Sequence, residues 1–150
     1  MIIGSDAAIV AIPPLLSSGS DQIERVDRFK LLGITISRDL KWSDHIDIIC
    51  SKASSRIHFL KLLKRSGVPT ADLLHYYVSV IRPTLEYACP VWHSSITSEQ
   101  SDTLENMQKR ALRVIYGSRF TDASYCSFCN ELSLSPFADR REQLTFNFFQ

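Results

Sequence analysis

The hydrophobic period of the chain changes once, near residue 40, and that change limits the folds open to it. Before it, residues 9–12, 22–26 and 29–36 are short runs rich in Ile, Val and Leu, separated by Pro13, Pro14 and the turn-forming Ser-Ser-Gly-Ser-Asp of residues 17–21. After it, apolar residues recur at spacings of three and four, the mark of amphipathic helices. At 150 residues, 45% of them apolar and 22% charged, the chain is long enough for one well-buried core and too apolar to be mainly disordered. The expected fold class is α+β and mainly α: a strand-rich segment over residues 1–40, then a helical domain over 41–150.

The first helix is expected to begin at Ser43, whose hydroxyl can cap free amides, with Asp44 and Asp47 in the first turn where the helix dipole favours negative charge. Ile46, Ile49, Cys50, Ala53, Ile57 and Leu60 form its inner stripe, and Gly67 marks its end. A second helical stretch runs from about Thr70, with Pro83 permitting a fresh start and Pro90 ending or kinking it. A third begins near Thr97 with a capping box to Gln100 and ends at Gly117, its apolar stripe being Leu104, Met107, Ala111, Leu112 and Ile115. Ser135 as cap and Pro136 at the first position open the last helix. Gly33 interrupts an otherwise continuous strand, which suggests a bulge or a close approach of backbone.

Net charge is only +1, so a nucleic-acid partner has to be argued from where the charges lie. Two clusters stand out. Lys52, Arg56, Lys61, Lys64 and Arg65 follow one another in the first helix with no acid among them, and Lys109, Arg110 and Arg113 gather near the end of the third, where they also suit the dipole. The apolar opening of the chain lacks a basic start and is interrupted by Asp6, which makes a poor signal peptide and leaves an intracellular compartment as the expectation.

The marks of catalysis are missing from these residues. There is no phosphate-cradling G-x-x-x-x-G-K-[ST] loop, no dinucleotide turn, no nucleophile elbow and no adjacent pair of aspartates for two-metal chemistry. Cys126 and Cys129 form a C-x-x-C, yet no second pair of ligands follows at zinc spacing, so the four cysteines are read as reduced thiols. His45 and Asp47 imitate two legs of an iron-binding triad. On a helix starting at Ser43, however, they point about 200° apart and cannot share a metal. No catalytic, metal or cofactor site is assigned.

Five stretches, FKLLGITISRDLKWSDHI, KASSRIHFLKLLKRSG, IRPTLEYACPVWH, LENMQKRALRVIYG and LSPFADRRE, in this order and spacing, resemble the C-terminal part of the reverse transcriptase of non-LTR (LINE-type) retrotransposons, jockey and CR1-like elements among them. The likeness covers residues 20 to 145. It implies that the FKLLGI strand is the end of the palm, with Leu32 and Gly33 at a primer-grip-like position. Trp42 would be buried at the joint, and the helices that follow would be a thumb. The family's metal-binding aspartates would lie upstream, and Met1 falls just after their expected position, so the chain is expected to be a fragment. Magnesium would then serve only the intact parent polymerase.

The function expected is that of a non-catalytic reverse-transcriptase piece contributing backbone contacts to an RNA–DNA hybrid or duplex. Lys52, Arg56, Lys61, Lys64, Arg65, Lys109, Arg110 and Arg113 would be the contacts, and the palm and fingers of the parent its protein partners; no membrane is involved. The rival is a structural or interaction remnant whose basic faces are merely solvated. A weaker alternative is the N-terminal module of an AlkB-like tRNA-modifying protein, although neither a cofactor loop nor an iron triad supports it.

Overall fold

The structure, a computed structural model, describes residues 16–18, 21–23 and 26–150. The expected strand at residues 9–12 lies outside them. The fold is α+β and mainly α, with two short antiparallel hairpins followed by helices. The described chain divides between His45 and Ile46 into two compact units.

In the first unit β1 (Leu16–Ser18) pairs with β2 (Asp21–Ile23), and β3 (Arg28–Leu31) pairs with β4 (Ile34–Ser37). Residues 29–36 are therefore not one strand, and Gly33 is not a bulge. Leu31 faces Ile34 across a two-residue loop in which Leu32 (φ 47°) and Gly33 (φ 86°) both lie in the left-handed region, the geometry of a type I′ turn. That turn follows the right-handed twist of the flanking strands, and a strand pattern alone does not reveal it. The next turn is tied by Ser37, whose single hydroxyl proton is shared between the Lys41 carbonyl at 2.6 Å and Asp39 at 2.7 Å. Accepting from the Ser37 hydroxyl and then from the Lys41 amide holds the Asp39 carboxyl below its usual range. Helix α1 (Ser43–Arg65) begins where expected, and its first turn is fastened to the hairpin by an Asp44–Arg28 ion pair at 2.9 Å. The Thr35 amide donates to Nδ1 of the buried His45, so the histidine of the apparent iron motif is a packed structural group. Trp42 is half-buried rather than enclosed, its ring meeting that of His45 edge-on at 6.0 Å.

The second unit is the helical core. The inner stripe of α1 is buried as its spacing requires. Its end is a Schellman motif, with Val68 N–H bonded to the Leu63 carbonyl and Gly67 N–H to Lys64, and Gly67 at φ 83°. Helix α2 (Thr70–Tyr76) passes into a π-helical turn at Tyr77–Ile81 and then α3 (Arg82–Glu86). Pro83 explains the wide turn: it has no N–H and its ring crowds the carbonyl four residues back, so the helix opens rather than breaks. The real break comes before Pro90, at Tyr87 and the left-handed Ala88, and α4 (Cys89–Trp92) starts anew with Pro90 in its first turn.

Helix α5 (Ser98–Tyr116) has the expected capping box, Thr97 and Gln100 exchanging side-chain bonds with each other's amides. Its inner face contains a residue that apolar periodicity passes over, Gln108, which is fully buried, whereas Met107 is half-buried. Tyr77 donates to Oε1 of Gln108 at 2.6 Å, and Nε2 of Gln108 donates to the Tyr125 hydroxyl at 2.7 Å and to the Ser135 carbonyl at 3.0 Å. Tyr125 in turn donates to Glu105. Burial and then this bond hold the Tyr125 phenol protonated, far above its ordinary range. Residues 118–134, whose pattern predicts no element, contain α6 (Tyr125–Glu131), which brings Tyr125 to this network.

The last helix, α7 (Phe137–Phe148), is not capped by Ser135. The Glu105 carboxylate, from α5, accepts the first two amides, Phe137 at 2.8 Å and Ala138 at 2.9 Å. A distant carboxylate thus does the work expected of a local hydroxyl, and it adds the attraction of negative charge to a helix N-terminus. Among the described residues no helix is long and apolar enough to cross a membrane.

Candidate nucleic-acid interface

The eight cations named from sequence do not form one surface. Helix α1 advances about 100° per residue, so Lys52 and Lys61, nine positions apart, point about 180° apart. On one flank Arg56 donates to the Val80 carbonyl at 2.9 Å, inside the π-helical turn. This is a structural bond: together with the Thr84 hydroxyl at 3.0 Å it gives the Val80 carbonyl its acceptor role and ties α1 to the π-helical turn.

On the other flank α1 runs beside α5. The Ser54 hydroxyl meets Met107 Sδ at 3.8 Å, Arg110 donates to Ser54 Oγ at 3.3 Å, and further along Lys64 Nζ donates to the carbonyls of Val114 at 2.7 Å and Ile115 at 2.6 Å. The two helices therefore advance in the same direction along this seam. The ammonium sits on the C-terminal carbonyls of α5, which have no acceptor role left inside the helix and carry the negative end of its dipole. Past this clasp, Lys61, Lys64 and Arg65 line a shallow groove of roughly 290 Å³ with Val114. Lys61 is half-buried and Arg65 exposed, and neither has an intramolecular polar partner among the described residues.

The cluster on α5 is used differently. Lys109 lies over the Tyr125 ring at 5.0 Å, and Arg113 over that of Phe120 at 5.9 Å. Arg113 also donates twice to Asp122, at 2.8 and 3.0 Å. Leu32 and Gly33 belong to the other unit, at the tip of the β3–β4 hairpin, where Leu32 is 83% exposed. Of the named residues, then, the fold brings together Lys61, Lys64 and Arg65, sets Arg110 on the same seam, and turns Lys52 and Arg56 to the far flank.

Two features of this surface are not expected from the charge pattern. Val114 enters the groove from α5, a long-range meeting that local pattern does not encode. His58 and Phe59 are both exposed on α1, their rings 6.5 Å apart. Their positions outside the inner stripe were a usable signal. Among the described residues no cluster of three or more His, Cys, Asp and Glu side chains could hold a metal ion.

The chain is similar to the probable RNA-directed DNA polymerase from transposon X-element of Drosophila melanogaster, with 23% identity over 107 residues. The match takes in 70% of this chain and 12% of that protein. No family model and no solved structure matches. The likeness supports a reverse-transcriptase-related origin for the chain, which spans a small part of such a polymerase.

Proposed function

We propose that the chain is a non-catalytic piece of a non-LTR retrotransposon reverse transcriptase, from the region that follows the catalytic palm, and that it contributes backbone contacts to an RNA–DNA template–primer. The observation that carries this is the groove of Lys61, Lys64 and Arg65. It holds two cations with no internal partner, on a helix that has no acid from residue 48 to 66. Phosphate oxygens are the natural complement of such a groove, and contacts of this kind give affinity with little sequence preference. On this reading nucleotide chemistry and its magnesium belong to the parent polymerase.

Binding of the purified chain to a labelled RNA–DNA hybrid, measured over a range of salt, is the test. About three phosphate contacts predict a slope of roughly −3 in log affinity against log salt. The double variant Lys61→Gln, Arg65→Gln should flatten that slope by about 2 without altering thermal unfolding. Binding that ignores both salt and the double substitution, or no binding at all, would leave the basic faces as solvated surface and the chain as a structural remnant.

A further inference from the structure

We propose that the outward face of α1 around His58 and Phe59 is a stacking platform for unpaired bases, so that the preferred ligand of the chain is a duplex or hybrid continued by a single-stranded extension. This rests on the nucleic-acid reading above and narrows its ligand.

The face is defined by helix geometry. Ile46, Ile49, Cys50, Ala53, Ile57 and Leu60 point into the core, and the opposite arc carries Ser51, Ser55, His58, Phe59 and Leu62. Phe128 and Phe137 fill the interior, whereas Phe59 is 60% exposed in the middle of a helix whose fold does not need it there. Residues one heptad apart lie within about 20° of each other around a helix and about 10 Å apart along it. Arg65 stands in that relation to His58, and Lys52 to Phe59. Each exposed ring is thus followed or preceded along its own stripe by a cation, and both cations lack intramolecular partners among the described residues. Aromatic faces interleaved with cations are what single-stranded nucleic acid requires, because every base offers a π-face and every linkage a negative charge. A duplex hides its bases and gives an exposed phenylalanine nothing to stack on.

A protein-docking stripe is the competing use of an exposed apolar face, and the surface fits it less well. Ile48 is eleven positions from Phe59, about 16 Å along the axis, and the outward positions between them are Ser51, Lys52 and Ser55. The exposed apolar surface here is therefore confined to Phe59 and the neighbouring Leu62, and lysine, present at Lys52 beside it, is depleted from the centres of protein interfaces. The absence of any acid between residues 48 and 66 makes the complementary partner an anion.

The test compares a blunt RNA–DNA hybrid with the same hybrid carrying an oligo-dA extension, using the full chain. The extended ligand should bind about tenfold more tightly. Phe59→Ala should abolish that preference while leaving affinity for the blunt hybrid and the melting temperature unchanged, and Phe59→Trp should keep it. Equal affinity for the two ligands, unaffected by Phe59→Ala, would overturn the platform and leave the backbone contacts standing. Binding to neither ligand would overturn both. A Phe59→Ala variant that changes the sedimentation of the chain but not the preference for the extension would make this face a protein-docking stripe and overturn the proposal.

Discussion

Helices α1 and α5 look alike as strings of letters, each amphipathic and each carrying a cluster of cations, but they commit those cations to the fold to different degrees. On α5, Glu105 and Gln108 hold the starts and faces of other helices, Lys109 and Arg113 lie over aromatic rings, Arg113 meets Asp122, and Arg110 reaches Ser54. Among the lysines and arginines of α1, Lys52, Lys61 and Arg65 have no internal partner among the described residues, and only Arg56 and Lys64 are drawn into the fold. Charge written in a sequence is thus not the same as charge available to a ligand. What separates the two is what each helix finds beside it when the chain is packed.

The comparison can be broken most forcefully at Glu105. Its carboxylate accepts the Phe137 and Ala138 amides and the Tyr125 hydroxyl, so Glu105→Ala leaves three donors without their acceptor. The expected loss is about 3 kcal/mol in urea unfolding, enough to threaten a domain of ordinary stability. A loss under about 0.5 kcal/mol would mean that water replaces the carboxylate freely and that α5 is no more committed to the fold than α1.

Lys64 tests the exception on α1. Lys64→Met keeps the aliphatic stem and removes the ammonium from the Val114 and Ile115 carbonyls; because the site is exposed, solvent reduces the effect to about 1 kcal/mol. No change in stability would put Lys64 with the free cations of the groove. The smallest effects sharpen the contrast. Arg113→Gln should cost about 0.5 kcal/mol, since both it and Asp122 are more than half exposed, and Lys61→Gln should fall within about 0.5 kcal/mol of no change. Equal losses at these two positions would erase the distinction between a cation used by the fold and one left over.

Local pattern carried far in this chain wherever the cause of a structure was itself local. The start of α1 at Ser43, its Schellman end at Gly67 and the capping box at Thr97 all follow from groups within a few residues of one another, and each is present. The burial of the α1 stripe also follows, because spacings of three and four put those side chains on one side of any helix. The same logic placed Ser135 as a cap and failed, since sequence shows only the nearest oxygen and not the carboxylate thirty residues away that reaches the same amides. The hairpin at Leu32 and Gly33 was missed because leucine is a poor marker of a left-handed turn.

For the candidate site the division is sharper. The number of cations, their order along two helices and the acid-free run from residue 48 to 66 are legible in the letters alone. Which of them remain for a ligand depends on how the helices pack. A helix scatters its side chains around a full circle, so neighbours in a charge cluster face different elements, and the carbonyls, rings and carboxylates on those elements either satisfy a cation or leave it to solvent. Arg56 met the Val80 carbonyl of a π-helical turn and Arg113 met Asp122, while Lys61 and Arg65 met neither. Those partners come from parts of the chain far away in sequence, and no local periodicity encodes them.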